Sequence, residues 1–153
     1  MNIGTKAPDF TLFTSDKKEV SLHVYEGKNV LILFFPLAFT SVCTTELCSV
    51  RDALTWYTNK NAVVMGISVD SVYTLAKFKE ETGINFTLLS DFNKEVSKTY
   101  NSLYESFGFG MKGVSKRSAF VIDKEGVIQY SEILENAGEV PDFLKIEEIL
   151  AQL

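Results

Sequence analysis

Residues 29–50 of the chain, NVLILFFPLAFTSVCTTELCSV, change their hydrophobic pattern at Pro36. The residues before it form a continuous β-prone apolar run, which is typical of a central strand covered on both faces. After Thr40 the apolar residues recur at spacings of four and three, the pattern of a helix with one face towards a core. These residues are Cys43, Leu47, Val50, Leu54 and Tyr57. The sequence therefore predicts a buried strand that passes into a helix across PLAFT.

The same alternation of strand and helix continues towards the C-terminus. AVVMGISV at 62–69 and FTLLSD at 86–91 are predicted strands, and 71–82 and 95–100 are predicted helices. Strands that alternate with helices indicate crossover units and parallel pairing. We therefore predict an α/β fold with a central mixed, mostly parallel sheet flanked by helices.

Both ends of the chain carry hairpin patterns. FTLFTSDKKEVSL at 10–22 alternates apolar and polar residues, and KEG separates SAFVID at 118–123 from VIQYSEI at 127–133. These patterns predict an N-terminal β-hairpin and an antiparallel sheet edge, and an amphipathic stretch at 140–153 predicts a final helix. A length of 153 residues suits one domain, so a single domain is expected over 1–153.

Charge and hydropathy argue against several classes of function. The formal net charge is −5 and the basic residues are not clustered, so nucleic acid is not an expected partner. The longest apolar run, 30–39, is interrupted by Pro36 and is shorter than the roughly 20 residues that cross a bilayer, so no membrane association is expected. The N-terminus has no basic region followed by a long apolar stretch, which predicts no signal peptide and a cytoplasmic location.

The supply of soft metal ligands is small. Two cysteines and one histidine, His23, are too few for a closed tetrahedral zinc site, so we expect neither a metal nor a cofactor. His23 is expected on the surface. Three apolar residues of the long loop 101–116 form either part of the core or a pocket lid, and the sequence alone favours the core; they are Phe107, Phe109 and Met111.

Cys43 has two possible roles. Thr40 or Ser41 is the natural N-cap of the predicted helix, which places Cys43 in its first turn. The helix dipole and the unpaired amides of a first turn favour thiolate over thiol, so Cys43 is placed to act as a nucleophile. Cys43 also shares a face with Leu47 and Val50, and free cysteine is among the most buried residue types. Spacing alone leaves nucleophile and core residue equally open.

Cys48 favours a redox role. It lies five residues after Cys43, about 140° around the helix, and so points away from the core stripe together with Asp52 and Thr55. In an intact helix the two cysteine Cα atoms are roughly 8.5–9 Å apart, which is beyond the ~7 Å limit for a disulfide. A disulfide between the two cysteines therefore requires the first helical turns to unwind, and we expect oxidation to drive this local unfolding.

Four further residues each have a structural and a functional interpretation. Pro36 ends the strand or walls a pocket that excludes water, and Thr40 caps the helix or hydrogen-bonds the sulfur or an incoming oxygen. Glu46 is interpreted first as a solvated first-turn carboxylate, with orientation of an arginine as the alternative. Arg117 forms a surface ion pair or reaches a site at the end of the sheet, and the sequence alone favours the surface pair.

The cysteine segment resembles a known family. Pro36, Thr40 and Cys43 in PLAFTSVC match the P-x-x-x-T-x-x-C signature of peroxiredoxins. FTLLSDFNKEVSKTYN, KRSAFVIDKEGVIQY and AGEVPD resemble successive blocks of that family, so the likeness runs from Phe10 through most of the chain. FFPLAFT with a late GEV is similar to the alkyl hydroperoxide reductase E type, whereas Cys-x4-Cys resembles the Q-type, or bacterioferritin comigratory, group.

The resemblance implies a thioredoxin fold and thiol-dependent reduction of hydrogen peroxide and organic hydroperoxides. It implies that Cys43 is the nucleophile that becomes a sulfenic acid, with Thr40 and Arg117 as its hydrogen-bonding and cationic partners. By the same resemblance Pro36 shields the sulfur and Glu46 is a secondary orienting group. Homodimers are common in the family and are a possible state here.

The resemblance leaves the second step open. The chain has no cysteine near its C-terminus, so Cys48 is the candidate to resolve Cys43, with thioredoxin or a similar thiol donor reducing the disulfide. Alternatively, a small external thiol resolves Cys43 directly in a one-cysteine mechanism. Two other classes also compete: a thiol-disulfide oxidoreductase, which would normally carry Cys-x-x-Cys, and a non-catalytic thioredoxin-fold binding module.

Overall fold

The structure, a computed structural model, describes residues 2–153. Its strands are β1 (Thr11–Thr14), β2 (Glu19–Ser21), β3 (Asn29–Phe34), β4 (Ala62–Ser68), β5 (Thr87–Ser90), β6 (Ser118–Ile122) and β7 (Ile128–Ile133). Its α-helices are α1 (Ser41–Asp52), α2 (Leu54–Asn59), α3 (Val72–Thr82), α4 (Glu95–Thr99) and α5 (Phe143–Gln152). Within the described residues, none of the helices has the length and apolar character needed to cross a membrane.

The strands form one mixed sheet in the order β2-β1-β5-β4-β3-β6-β7. The pairings of β3 with β4 and of β4 with β5 are parallel, and the other four are antiparallel. The mixed sheet flanked by helices and both predicted hairpins are confirmed. The expectation of a mostly parallel sheet is wrong, because parallel pairing needs long crossover connections and these exist only among the three central strands.

Strand β3 is an interior strand of the sheet. Every one of its residues is buried, and it lies between β4 and β6. Leu31 and Leu33 face the core cluster that includes the buried stripe of α1, whereas Ile32 and Phe34 face the opposite cluster with Phe120. This two-residue alternation is that of a strand covered on both faces, and β3 delivers the chain directly to the segment before α1.

Two helices begin or end elsewhere than predicted. The helix predicted from the apolar residues between Cys43 and Tyr57 is divided into α1 and α2 at Ala53, whose backbone leaves helical geometry (φ −103°, ψ 9°). Val50 and Tyr57 stay buried on either side of the division. The last helix begins at Phe143 because Pro141 restricts the preceding backbone and Asp142 caps the helix by accepting the Lys145 N–H at 3.1 Å.

The long loop before β6 is not packed as expected. Phe109 is 102% exposed and Met111 is 38% exposed, so their assignment to the core is wrong, and Phe107 is only half-buried. Phe109 occupies a left-handed backbone position (φ 61°) at the tip of the loop, which turns its ring outwards. The loop is anchored instead by Tyr104 and Val114 in a small cluster. His23 is exposed, as expected, and lies 2.8 Å from Asp9.

Candidate active site

The segment between β3 and α1 is held against the end of β4. The Phe35 N–H donates to the Ile67 carbonyl at 3.0 Å, and the Ala38 N–H donates to Asp70 Oδ2 at 2.8 Å. The Ser68 hydroxyl donates to the same carboxylate oxygen at 2.7 Å. Asp70 thus fixes the path of the chain immediately before α1. Pro36 is buried in this segment.

Thr40 is the N-cap residue of α1, with extended backbone angles (φ −82°, ψ 150°). Its hydroxyl donates to the Leu37 carbonyl at 2.8 Å. Among the described residues it makes neither a side-chain cap bond nor a hydrogen bond to the sulfur of Cys43. The Thr44 hydroxyl donates back to the Thr40 carbonyl at 2.8 Å. In this arrangement the Thr40 hydroxyl stiffens the turn, and its oxygen keeps acceptor capacity.

Cys43 lies in the first turn of α1 and is fully buried. It packs in the same cluster as Leu47 and Val50, so the core interpretation describes its surroundings correctly. Its sulfur also accepts a hydrogen bond from Arg117 Nη2 at 3.0 Å. The Arg117 guanidinium thus gives the Cys43 sulfur a charged hydrogen-bond donor, a contact that packing alone does not explain.

Arg117, immediately before β6, makes three contacts in the interior. Nη1 donates to Glu46 Oε1 at 2.6 Å, Nη2 donates to the Cys43 sulfur, and Nε donates to the Ala137 carbonyl at 3.0 Å. Burial lowers the pKa of Arg117, but the contacts with Glu46 and Cys43 outweigh it and raise the pKa above its ordinary value. The sequence-based expectation that Arg117 forms a surface ion pair is wrong. Three interior acceptors compensate the free-energy cost of burying this cation.

Glu46 is not a solvated carboxylate, as first interpreted, but only 2% exposed. It lies three residues after Cys43 on the same helix face, which turns it towards Arg117. Burial raises the pKa of Glu46 to about 7, although the charge of Arg117 acts against the rise. Its second oxygen, Oε2, has no hydrogen-bond partner among the described residues. The geometry matches the alternative interpretation, in which Glu46 orients an arginine.

Cys48 occupies the outer side of α1. Its side chain is half-buried, and both cysteines are present as free thiols. They belong to one uninterrupted helix, so their separation is that of residues five apart in an α-helix. The expected outward direction of Cys48 agrees with the exposure of Asp52 on the same side.

Sequence reasoning missed two contributors to the site. Asp70 lies two residues after β4 in SVDS, and a carboxylate near the carboxyl end of a central parallel strand is a signal that points to this edge of the sheet. Ala137 contributes only its backbone carbonyl, for which no side-chain pattern exists. The structure brings the five predicted site residues together. Pro36 and Thr40 lie in the turn from β3 into α1, and Cys43 and Glu46 lie in the first turns of α1. Arg117 lies next to the start of β6, the strand that neighbours β3.

A central strand that leads into a helix with a buried, guanidinium-bound cysteine in its first turn defines a thioredoxin-fold thiol enzyme. Residues 3–131 match the AhpC/TSA family, and the chain belongs to this family, the peroxiredoxins. It is 38% identical over 156 residues to alkyl hydroperoxide reductase E of Mycobacterium tuberculosis, covering 100% of this chain and 98% of that protein.

Solved structures agree with this assignment. The crystal structure of peroxidoxin BcpB from Mycobacterium tuberculosis matches with a TM-score of 0.87 and 28% identity over 100% of this chain and 98% of that one. Reduced 2-Cys peroxiredoxin from Plasmodium vivax matches with a TM-score of 0.85 and 34% identity over 99% and 81%. The predicted thioredoxin fold and peroxiredoxin family are confirmed. The protein is a thiol-dependent peroxidase that acts on hydroperoxides with thiol reductants.

Proposed function

We propose that Cys43 is the residue that reduces the hydroperoxide. The observation that carries this proposal is the 3.0 Å contact between Arg117 Nη2 and the buried Cys43 sulfur. The thiolate attacks the terminal peroxide oxygen, the O–O bond breaks, and the sulfur becomes a sulfenic acid while water or an alcohol leaves. Arg117 stabilises the negative charge that develops as the O–O bond breaks.

Three neighbours support this chemistry. Thr40 positions the turn before Cys43 and presents a hydroxyl whose oxygen accepts a hydrogen bond from the incoming peroxide. Pro36, buried in the same segment, limits the access of water to the sulfur. Glu46 holds Arg117 through the Nη1 contact of 2.6 Å, so that the guanidinium points at both the sulfur and the peroxide.

Cys48 is the proposed resolving residue. Its half-exposed position on the same helix as Cys43 places it within reach of the sulfenic acid only after the first turns of α1 unwind, since disulfides need Cα atoms within about 7 Å. Thioredoxin or a similar thiol donor then reduces the disulfide. The one-cysteine alternative, in which a small external thiol attacks the sulfenic acid, is supported by the different directions of the two cysteines on the intact helix.

The remaining proposals concern the whole molecule. We propose a single domain over 1–153, a cytoplasmic location and a homodimer. Support for the dimer comes from exposed aromatic side chains near the site: Phe39 is 49% exposed beside the first turn of α1, and Phe109 protrudes from the long loop. Large exposed apolar side chains commonly mark protein contacts.

The test is intact mass with a free-thiol count on reduced protein given one equivalent of hydrogen peroxide, with the variants C43S and C48S in parallel. Loss of two hydrogens and of both thiols in a monomer supports the Cys43–Cys48 disulfide. Gain of one oxygen with one thiol left supports the one-cysteine alternative. Peroxide consumption by C43S at the wild-type rate contradicts the assignment of Cys43.

A further inference from the structure

Cys43, Glu46 and Arg117 form a buried triad in which two acids share one guanidinium. Nη2 of Arg117 donates to the Cys43 sulfur at 3.0 Å, and Nη1 donates to Glu46 Oε1 at 2.6 Å. The exposed fractions are 0% for Cys43, 2% for Glu46 and 1% for Arg117. Water therefore does little to screen the charges of these three groups from one another.

The charges of the triad balance only if one proton is retained. With a thiolate, a carboxylate and one guanidinium, the buried site would carry a net charge of minus one, and burial of an uncompensated charge is strongly unfavourable. One proton shared by Cys43 and Glu46 brings the net charge to zero. Cys43 and Glu46 are coupled because both contact the same guanidinium.

The first-turn amides of α1 contribute only partial positive charge at Cys43, and no second cationic side chain in the described part of the chain balances the triad. Tyr104 stays neutral because burial raises its pKa, and its hydroxyl donates to the Leu134 carbonyl at 2.8 Å. Lys116 is engaged by Glu135 at 2.6 Å. Within residues 2–153, Arg117 is the single cation that donates a hydrogen bond to either acid of the triad.

The hydrogen bonds of Glu46 also indicate where the proton is held. Oε1 accepts from Arg117, whereas Oε2 is buried and has no partner among the described residues. Oε2 is therefore the oxygen that is available to carry the hydrogen of a protonated carboxyl. The rise of the Glu46 pKa to about 7, caused by burial, is consistent with this arrangement.

We propose that Cys43 and Glu46 hold one proton between them across Arg117, and that Glu46 releases this proton when Cys43 is oxidised. The inference rests on the proposed role of Cys43 and extends the role of Glu46 from holding Arg117 to providing a proton.

The reaction balances with this proton. The thiolate forms an S–O bond with the terminal peroxide oxygen, the O–O bond breaks, and its electron pair goes to the leaving oxygen. The sulfur loses two electrons and the peroxide gains them. The leaving oxygen needs one proton, and the Glu46 carboxyl loses one, so the products are a sulfenic acid, a carboxylate and water or an alcohol. The triad has zero net charge before and after the step, and the thiol reductant returns the proton when it regenerates Cys43.

Proton counting tests this inference. Reduced protein is mixed with one equivalent of hydrogen peroxide in weakly buffered solution containing a pH-indicator dye, and proton uptake is recorded at several pH values. Thiol loss is measured in parallel, and the thiolate fraction before mixing is measured by ultraviolet absorbance. Proton uptake is taken from the first kinetic phase, before any Cys43–Cys48 disulfide forms, because unwinding of α1 would expose Glu46 and release any proton that it still held.

In the wild type below about pH 7, we expect the proton uptake per oxidised Cys43 to be smaller than the fraction of Cys43 that was thiolate before mixing, because Glu46 supplies part of the protons. At higher pH the uptake should approach that fraction, because Glu46 has no proton left to give. The isosteric variant E46Q carries no exchangeable carboxyl proton, so its uptake should equal the thiolate fraction throughout. Wild-type uptake that equals the thiolate fraction at every pH would overturn the inference, and this criterion needs no variant. Absence of peroxide-dependent thiol loss at Cys43 would instead overturn the proposed function, and the inference with it.

Discussion

Glu46 Oε1 and Arg117 Nη1 lie 2.6 Å apart with both side chains withdrawn from solvent. Such a pair is sensitive to the loss of one partner, because the remaining charge stays buried without compensation. The same guanidinium contacts the Cys43 sulfur. Replacement of Arg117 is therefore expected to change both the stability of the fold and the reactivity of Cys43, and an experiment must distinguish these two effects.

Replacing Arg117 should reduce both stability and activity. We expect R117M to lower the free energy of unfolding by about 3–5 kcal/mol, because Glu46 is left buried without its cation. We expect the rate of Cys43 oxidation to fall about 100-fold or more, since a charge-stabilising donor is lost from the reacting sulfur. Urea unfolding and stopped-flow oxidation measure the two effects.

The double variant R117M/E46M is the matched control for this prediction. It removes both charges and should recover most of the lost stability, since buried ion pairs are often replaceable by apolar side chains. Its oxidation rate should stay as low as that of R117M. A double variant that regains both stability and rate would contradict the direct role of Arg117 at the sulfur.

The raised pKa of Glu46 predicts a pH dependence of stability. In the unfolded chain this carboxyl ionises near its ordinary pKa of 4.5, whereas in the folded protein its pKa is about 7. Between these values the folded state binds the extra proton, so the contribution of Glu46 to stability is complete below about pH 4.5 and is lost as the pH rises through about 7. The expected loss is on the order of 3 kcal/mol.

Chemical unfolding of wild type and E46Q from pH 4 to pH 8 measures this effect. The difference between the two free energies of unfolding removes the contributions of all other titrating groups. We expect the wild type to lose stability relative to E46Q as the pH rises. A constant difference would mean that Glu46 has the same pKa in the folded and unfolded states.

Structural features that follow from a repeating hydrophobic pattern could be predicted from the sequence, whereas features that depend on a contact between two distant residues could not. The buried alternation of β3 and the stripe of α1 follow from periods of two and about 3.6 residues, so both could be predicted. Burial of Glu46 and Arg117 could not, because each depends on a partner 71 residues away, and a charged residue considered alone is expected at the surface. The family resemblance indicated their roles, although spacing alone did not.

Asp70, which holds the segment between β3 and α1, provides another prediction. D70A removes the acceptor of the Ala38 N–H and of the Ser68 hydroxyl, which should cost about 1–3 kcal/mol of stability because these donors lose their partner. The loosened segment should also lower the rate of Cys43 oxidation about tenfold, since small displacements of reacting groups are costly. D70N, which keeps an acceptor oxygen, should fall between D70A and wild type.

The control for Asp70 is D52A, which removes an exposed carboxylate whose partner is the neighbouring Arg51. Surface pairs of this kind contribute roughly 0–1 kcal/mol, so D52A should oxidise at the wild-type rate. Equal rates in D70A and wild type would show that the segment keeps its geometry without the Asp70 carboxylate. The rates are measured by stopped-flow mixing with hydrogen peroxide.

Cys48 leads to a prediction about the helix itself. Because the two cysteines are five residues apart on an intact α1, oxidation to a Cys43–Cys48 disulfide must unwind the first turns, and far-ultraviolet circular dichroism should lose helical signal equivalent to about one to two turns. C48S should keep its helical signal after the same treatment and should retain one oxygen on Cys43 by intact mass.

Thr44 and Thr45 lie between the two cysteines and have low helix propensity, which reduces the free-energy cost of unwinding the first turns of α1. The variant T44A/T45A should therefore form the disulfide more slowly while its sulfenic acid appears at the wild-type rate. An unchanged spectrum in protein proven to carry the disulfide would contradict the unwinding step, because the chain would then have joined two sulfurs across a helix that holds them apart.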